Sequence, residues 1–161
     1  MIQATTESLF TIYVQTQDNR IDTSVAYNNV RHLVKFTNDL DKSVYYAYGA
    51  SETIKNRFTT ISMTYNTTPD IFTGKLKLFP AGYYKYEIYE VSWIGTVTVS
   101  SGNAPRTEDD VLSPAADDKG VVQGLVTKGK MYLAEKDGTQ QVQYTQRQEP
   151  TGGTNYIYYG Q

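Results

Sequence analysis

The stretch Arg57-Phe58-Thr59-Thr60-Ile61-Ser62-Met63-Thr64-Tyr65 decides the fold class. In a pleated strand Ile61, Met63 and Tyr65 fall on one face, and Thr60, Ser62 and Thr64 on the other. One buried and one solvated face is the pattern of an antiparallel sheet. Asn66-Thr67-Thr68-Pro69-Asp70 ends the run, and Lys75-Leu76-Lys77-Leu78 alternates again with both lysines outward. Pro80-Ala81-Gly82 then turns the chain into the longest predicted strand, residues 83–93. There Tyr84, Tyr86 and Ile88 share one face, and Tyr83, Lys85, Glu87 and Tyr89 the other.

The same period extends in both directions. Toward the N-terminus, residues 9–14 read as a first strand and residues 15–29 as a polar stretch. Residues 32–37 and 43–48 read as two strands of a hairpin closed by Asn38-Asp39-Leu40-Asp41-Lys42. Residues 51–56 read as the one short helical turn. Toward the C-terminus, residues 100–119 read as a loop with five acids and two prolines, a length that is usually functional. Residues 121–127 and 130–134 read as strands separated by Gly129. Lys136-Asp137-Gly138-Thr139 predicts a hairpin turn, because Asp-Gly supplies the positive φ of type I′. Residues 141–146 return as the last core strand. This spacing of short strands predicts a β-sandwich.

Composition agrees. Among 161 residues there are fifteen tyrosines and twenty-one threonines, both strand formers. Hydrophobic residues make up 39%, and the aromatic 13% compensates, since each tyrosine buries a large ring. A chain of this length buries a core without staples. With no cysteine there is no disulfide framework, thiolate metal site or cysteine nucleophile. One histidine, His32, excludes a multi-histidine metal site. A net charge of −2 excludes a strongly basic groove for a nucleic-acid backbone. The N-terminal residues lack a basic region followed by an apolar stretch, and no apolar run is long enough to cross a membrane. Synthesis in a cytosol, with no membrane partner, is the expectation.

The candidate chemistries are few. Glu108, Asp109 and Asp110, with Asp117 and Asp118, are oxygen ligands of the kind calcium takes, but their spacing matches no EF-hand and a solvated loop is expected. His32 lacks a Gly-x-Ser-x-Gly elbow around any serine, so a structural role is expected and no catalytic residue is assigned. No phosphate-cradling glycine loop is present and no cofactor is expected. Tyr45, Tyr46, Tyr48, Tyr83, Tyr84, Tyr86, Tyr89, Tyr156, Tyr158 and Tyr159 outnumber what one sandwich core holds. Part of them should lie exposed or in interfaces, as protein-contact residues or as a stacking platform.

Several short matches resemble one family. They are Met1-Ile2-Gln3, Leu33-Val34-Lys35-Phe36-Thr37-Asn38-Asp39, Arg57-Phe58-Thr59-Thr60-Ile61 and the stretch from Gly74 to Glu90. The last is Leu125-Val126-Thr127-Lys128-Gly129-Lys130-Met131. Together they are similar to small β-proteins of tailed bacteriophages, marine and crAss-like, whose genes lie among head-structure genes. The resemblance spans roughly residues 1–146. It implies an all-β, Ig-like antiparallel sandwich of roughly seven to nine strands. It also implies a non-enzymatic virion protein, an auxiliary or decoration protein bound to the major capsid protein or other virion proteins. A head-tail connector or tail component is the alternative within the virion. A carbohydrate-binding module is the alternative from another class.

Residues 1–146 thus form the expected sandwich domain, and residues 147–161 a linker and C-terminal arm. Glu149-Pro150-Thr151-Gly152-Gly153-Thr154 is a spacer that breaks any ladder. Tyr156, Ile157, Tyr158 and Tyr159 form an uncharged β-prone segment, the expected partner interface. It would add to a sheet edge of a neighbouring subunit or serve as the last strand of its own sandwich.

Overall fold

The computed structural model describes residues 1–137. Among the described residues nine strands run in chain order. They are β1 (Ile2–Thr5), β2 (Phe10–Val14), β3 (Val30–Asn38), β4 (Val44–Tyr48) and β5 (Ser51–Ile54). Then come β6 (Thr59–Tyr65), β7 (Lys75–Leu76), β8 (Gly82–Ser92) and β9 (Val121–Ala134). Single 3₁₀ turns occupy Tyr27–Asn29 and Ile71–Thr73. The strands form a five-stranded sheet in the order β1-β9-β8-β3-β4 and a second sheet in the order β2-β6-β5, with β7 paired to β6. The protein is all-β, as the alternating segments predict.

The sheets face each other across one core. Ile12 and Val14 of β2 and Ile61 and Met63 of β6 meet Val34 and Phe36 of β3, Tyr84 and Ile88 of β8, and Met131 and Leu133 of β9. Ile12, Ile61, Met63, Phe36, Tyr84 and Ile88 are wholly buried. The alternation read at 61–65 is thus the inner face of β6, with Tyr65 only half-buried at its end. The two sheets are also joined by polar contacts. His32 on β3 is buried, and its Nδ1 lies 2.6 Å from Oε1 of Glu52 on β5. The other Glu52 oxygen accepts the His32 main-chain N–H at 3.1 Å. Within the second sheet, the buried hydroxyls of Thr16 and Thr59 meet at 2.7 Å.

Four expectations are corrected. Residues 51–56 do not turn into helix, because Ser51–Ile54 pairs antiparallel with β6 and thereby aims Glu52 at His32. Gly129 does not break a strand: β9 runs unbroken for 14 residues. A Cβ there would lie 2.5 Å from the Tyr86 hydroxyl, so the glycine gives the ring of its cross-strand neighbour room. Two register shifts against β8 bend this long strand instead. The N-terminal residues, read only for a leader, form β1, which pairs parallel with Met131–Ala134. That pair and β6·β7 are parallel, whereas the other strand pairs among the described residues are antiparallel. Residues 141–146, the spacer 149–154 and Tyr156, Ile157, Tyr158 and Tyr159 lie outside the described residues.

Candidate interaction surface

The loop between β8 and β9 is folded onto the outer face of the five-stranded sheet. Leu33, Tyr48, Val91 and Trp93 point outward from the sheet, and Ala104, Val97 and Val99 of the loop close over them. Trp93 is wholly buried there, and its indole N–H donates to the Asn103 carbonyl at 3.3 Å. Gly120 presses against that ring: a Cβ would come within 2.6 Å of it. The buried Tyr48 hydroxyl donates to the Pro105 carbonyl at 2.8 Å. Tyr48 also stacks on Phe72 at 6.4 Å between ring centroids. A second small core therefore lies outside the sandwich.

Glu108 fastens this ledge. One of its oxygens pairs with the Lys35 ammonium, and the other accepts the Tyr46 hydroxyl at 2.5 Å. The acids read as a solvated loop thus divide. Glu108 is an anchor, Asp110 accepts the Arg106 main-chain N–H at 3.0 Å, Asp118 accepts from Asn103, and Asp109 stays exposed. They do not converge, and among the described residues no three acids or histidines are placed to hold a metal ion. Glu90 is a further carboxylate with no signal in the sequence. It is buried, and it accepts the main-chain N–H groups of Ile21 and Asp22 at 3.1 and 2.7 Å, tying down the polar stretch before β3.

These contacts have a pH consequence. Burial, then the hydrogen bond to Glu108, pushes the Tyr46 phenol up to about 12. Burial does the same to Tyr84, to about 12, and raises Tyr48 as well. A phenol whose pKa is raised in the folded state stabilises that state fully below about pH 10, its unfolded value. That stability is lost as pH climbs through about 12. Burial pulls the Glu108 carboxyl up, but the Lys35 and Tyr46 hydrogen bonds outweigh it and hold the group below the usual range. Its contribution is present above the unfolded carboxylate pKa and is lost as acid takes pH through the lowered one. Melting curves should therefore fall in Tm on both sides of neutrality. In alkali the fall should coincide with tyrosinate absorbance. Tyrosinate absorbance at full amplitude near pH 10, with Tm unchanged, would contradict these placements.

Tyrosines supply only part of the exposed apolar surface. Of those in the described residues read as an excess, Tyr48 and Tyr84 are buried, Tyr45, Tyr46, Tyr86 and Tyr89 half-buried, and only Tyr83 is exposed. The second core takes up the surplus. Other residues are more open. Leu9 in the β1–β2 turn, Leu40 in the β3–β4 turn and Phe79 before β8 are 66%, 82% and 70% exposed. These turns sit at one end of the sandwich, where Asp39 N–H meets the Tyr83 carbonyl and Lys136 N–H meets the Thr6 hydroxyl. A cleft of about 270 Å³ opens there between Glu7, Tyr65, Phe79 and Lys136. Sequence periodicity carries no signal for this cluster, because turn residues obey no period.

No helix among the described residues is long and apolar enough to cross a membrane. No family model, no curated protein and no solved structure matches the chain.

Proposed function

We propose that the chain is a non-enzymatic structural protein of a tailed-bacteriophage virion, bound as an auxiliary protein to the outer capsid shell and built on an immunoglobulin-type sandwich. Strand order supports the type. Lettering β2, β3, β4, β5, β6, β8 and β9 as B, C, C′, D, E, F and G gives sheets G-F-C-C′ and B-E-D. Tyr84 supports it too: early in β8, its hydroxyl donates to the Pro80 carbonyl four residues upstream at 2.6 Å, as in a tyrosine corner.

The apolar loop end carries the functional part of the reading. Three large apolar side chains held open on turns at one end of a domain form a contact surface for another protein. The resemblance to phage head-neighbourhood proteins supplies the partner, the major capsid protein. A Leu40→Asp, Phe79→Asp variant should keep its melting temperature within a few degrees and fail to join particles in a mixing assay. Capture at the wild-type level would overturn the role of this end. Quantitative mass spectrometry of purified particles separates the positions: parity with the capsid subunit means decoration, and one ring's worth of copies means connector or tail.

A carbohydrate-binding reading has one specific observation in its favour. On the outer face of the second sheet Tyr13 is 67% exposed and lies 6.2 Å from the Phe58 ring. The Thr11 and Ser62 hydroxyls lie on the same face. Flat rings among hydroxyls suit a sugar face. A glycan array with wild type and Tyr13→Ala tests it; binding by the wild type that Tyr13→Ala abolishes would favour the module over the virion protein.

A further inference from the structure

A sheet edge offers unpaired N–H and C=O groups to any extended chain, so folded proteins guard their edges. β1 is only four residues long. Beyond β1, the edge of β9 is covered by the polar stretch before β3. There the Asn19 side-chain amide donates to the Val126 carbonyl at 2.9 Å, and Ile21 lies over Gly124. The 3₁₀ turn Ile71–Thr73 packs beside β4. β5 carries Glu52 inward, against His32. β2 has none of these devices. It reads Phe10-Thr11-Ile12-Tyr13-Val14, without a charge, a proline or a glycine. It pairs with β6 on one side and, among the described residues, with no strand on the other.

We infer that Tyr156-Ile157-Tyr158-Tyr159 pairs antiparallel with this edge of β2 in the same molecule. The inference rests on the immunoglobulin-type strand order, not on the virion role: strand A of that fold lies beside B, in the sheet that here runs B-E-D. The segment suits the place chemically. A strand with apolar side chains on both faces needs cover on both. Residues 141–146 carry glutamine at 141 and 143, leave one face polar, and have no such need. Against β2, Ile157 and Tyr159 extend the inner row of Ile12 and Val14. Tyr156 and Tyr158 then stand beside Tyr13, which is 67% exposed, and supply it with an aromatic cross-strand neighbour. Reach is ample. Lys136 N–H meets the Thr6 hydroxyl, close before the start of β2. The chain from there to Tyr156 spans up to roughly 60 Å, against about 17 Å for β2. A tethered segment meets its own edge at an effective concentration in the millimolar range, ahead of the edge of a neighbour.

The test is disulfide trapping in the full chain, which has no cysteine of its own. It needs no virion, so it stands or falls apart from the capsid assignment. Tyr13→Cys is combined in turn with Tyr156→Cys, Ile157→Cys, Tyr158→Cys and Tyr159→Cys. A disulfide needs Cβ atoms about 3.5–4.5 Å apart, and only positions on the outer face come so close to Tyr13. Mild oxidation should therefore link Tyr156→Cys or Tyr158→Cys within one chain about tenfold faster than either of the other two. Hydrogen exchange on the unsubstituted chain guards against a cysteine variant that fails to fold. The amides of β2 should all be protected, and Ile157→Pro, which cannot donate to a ladder, should speed the outward ones by about tenfold or more. Links between two chains, faster links to Gln3→Cys on β1, equal rates at all four positions, or alternate β2 amides unprotected in the wild type would each overturn the proposal.

Discussion

Replacing Trp93 with alanine should lower stability by about 3–5 kcal/mol and Tm by roughly 10 °C or more. The ring is wholly buried outside the main core, under Ala104 and against Gly120. Its removal leaves a cavity that the surroundings fill poorly, because Gly120 has no side chain to move in. It also removes one of the two donors to the Asn103 carbonyl, leaving the Gly120 N–H at 2.8 Å. The ledge should loosen first, so near-ultraviolet circular dichroism should fall more than the far-ultraviolet strand signal. Urea unfolding measures the loss. A change under about 1 kcal/mol would mean that the ledge is not part of the cooperative fold.

Glu52→Ala should cost nearly as much, about 3 kcal/mol, for a different reason. Glu52 accepts both the Nδ1 side and the main-chain N–H of the buried His32. Its loss leaves two buried polar groups without a partner, each worth about 1–3 kcal/mol. It also releases β5, a short edge strand, from the facing sheet. Glu52→Gln keeps an acceptor and should recover part of the loss. His32→Ala added to Glu52→Ala should cost much less than the sum of the single changes, because the pair acts as one unit. Additive losses in that cycle would contradict the contact.

Local pattern made much of the sandwich readable. β6 and β8 follow a strict period of two, and their apolar positions Ile61, Met63, Tyr84 and Ile88 are the wholly buried ones. The unread parts depend on distant partners. Ser51–Ile54 has no strand signature of its own and becomes one through β6. Ile2–Thr5 becomes a strand through β9, more than a hundred residues away. Gly129 is a breaker by composition, yet its missing side chain is what admits the Tyr86 ring. The β8–β9 loop looked solvated because its acids and prolines are local, whereas the Leu33, Tyr48 and Trp93 surface it covers lies elsewhere in the chain. The same covering explains the tyrosines: a count sized to one core finds a surplus, and the molecule has two cores. Of the contact surface, exposed tyrosines were legible as a class, but only Tyr83 among those expected in the described residues is open. The Leu9, Leu40 and Phe79 cluster exists only once three turns are brought to one end.

A density map of the virion decides whether the sandwich has the proposed place on a capsid. Two-sheet density should lie on the outer shell, with Leu9, Leu40 and Phe79 turned toward the major capsid protein. Purified particles that lack the chain, or a map that places it away from the shell, would contradict it.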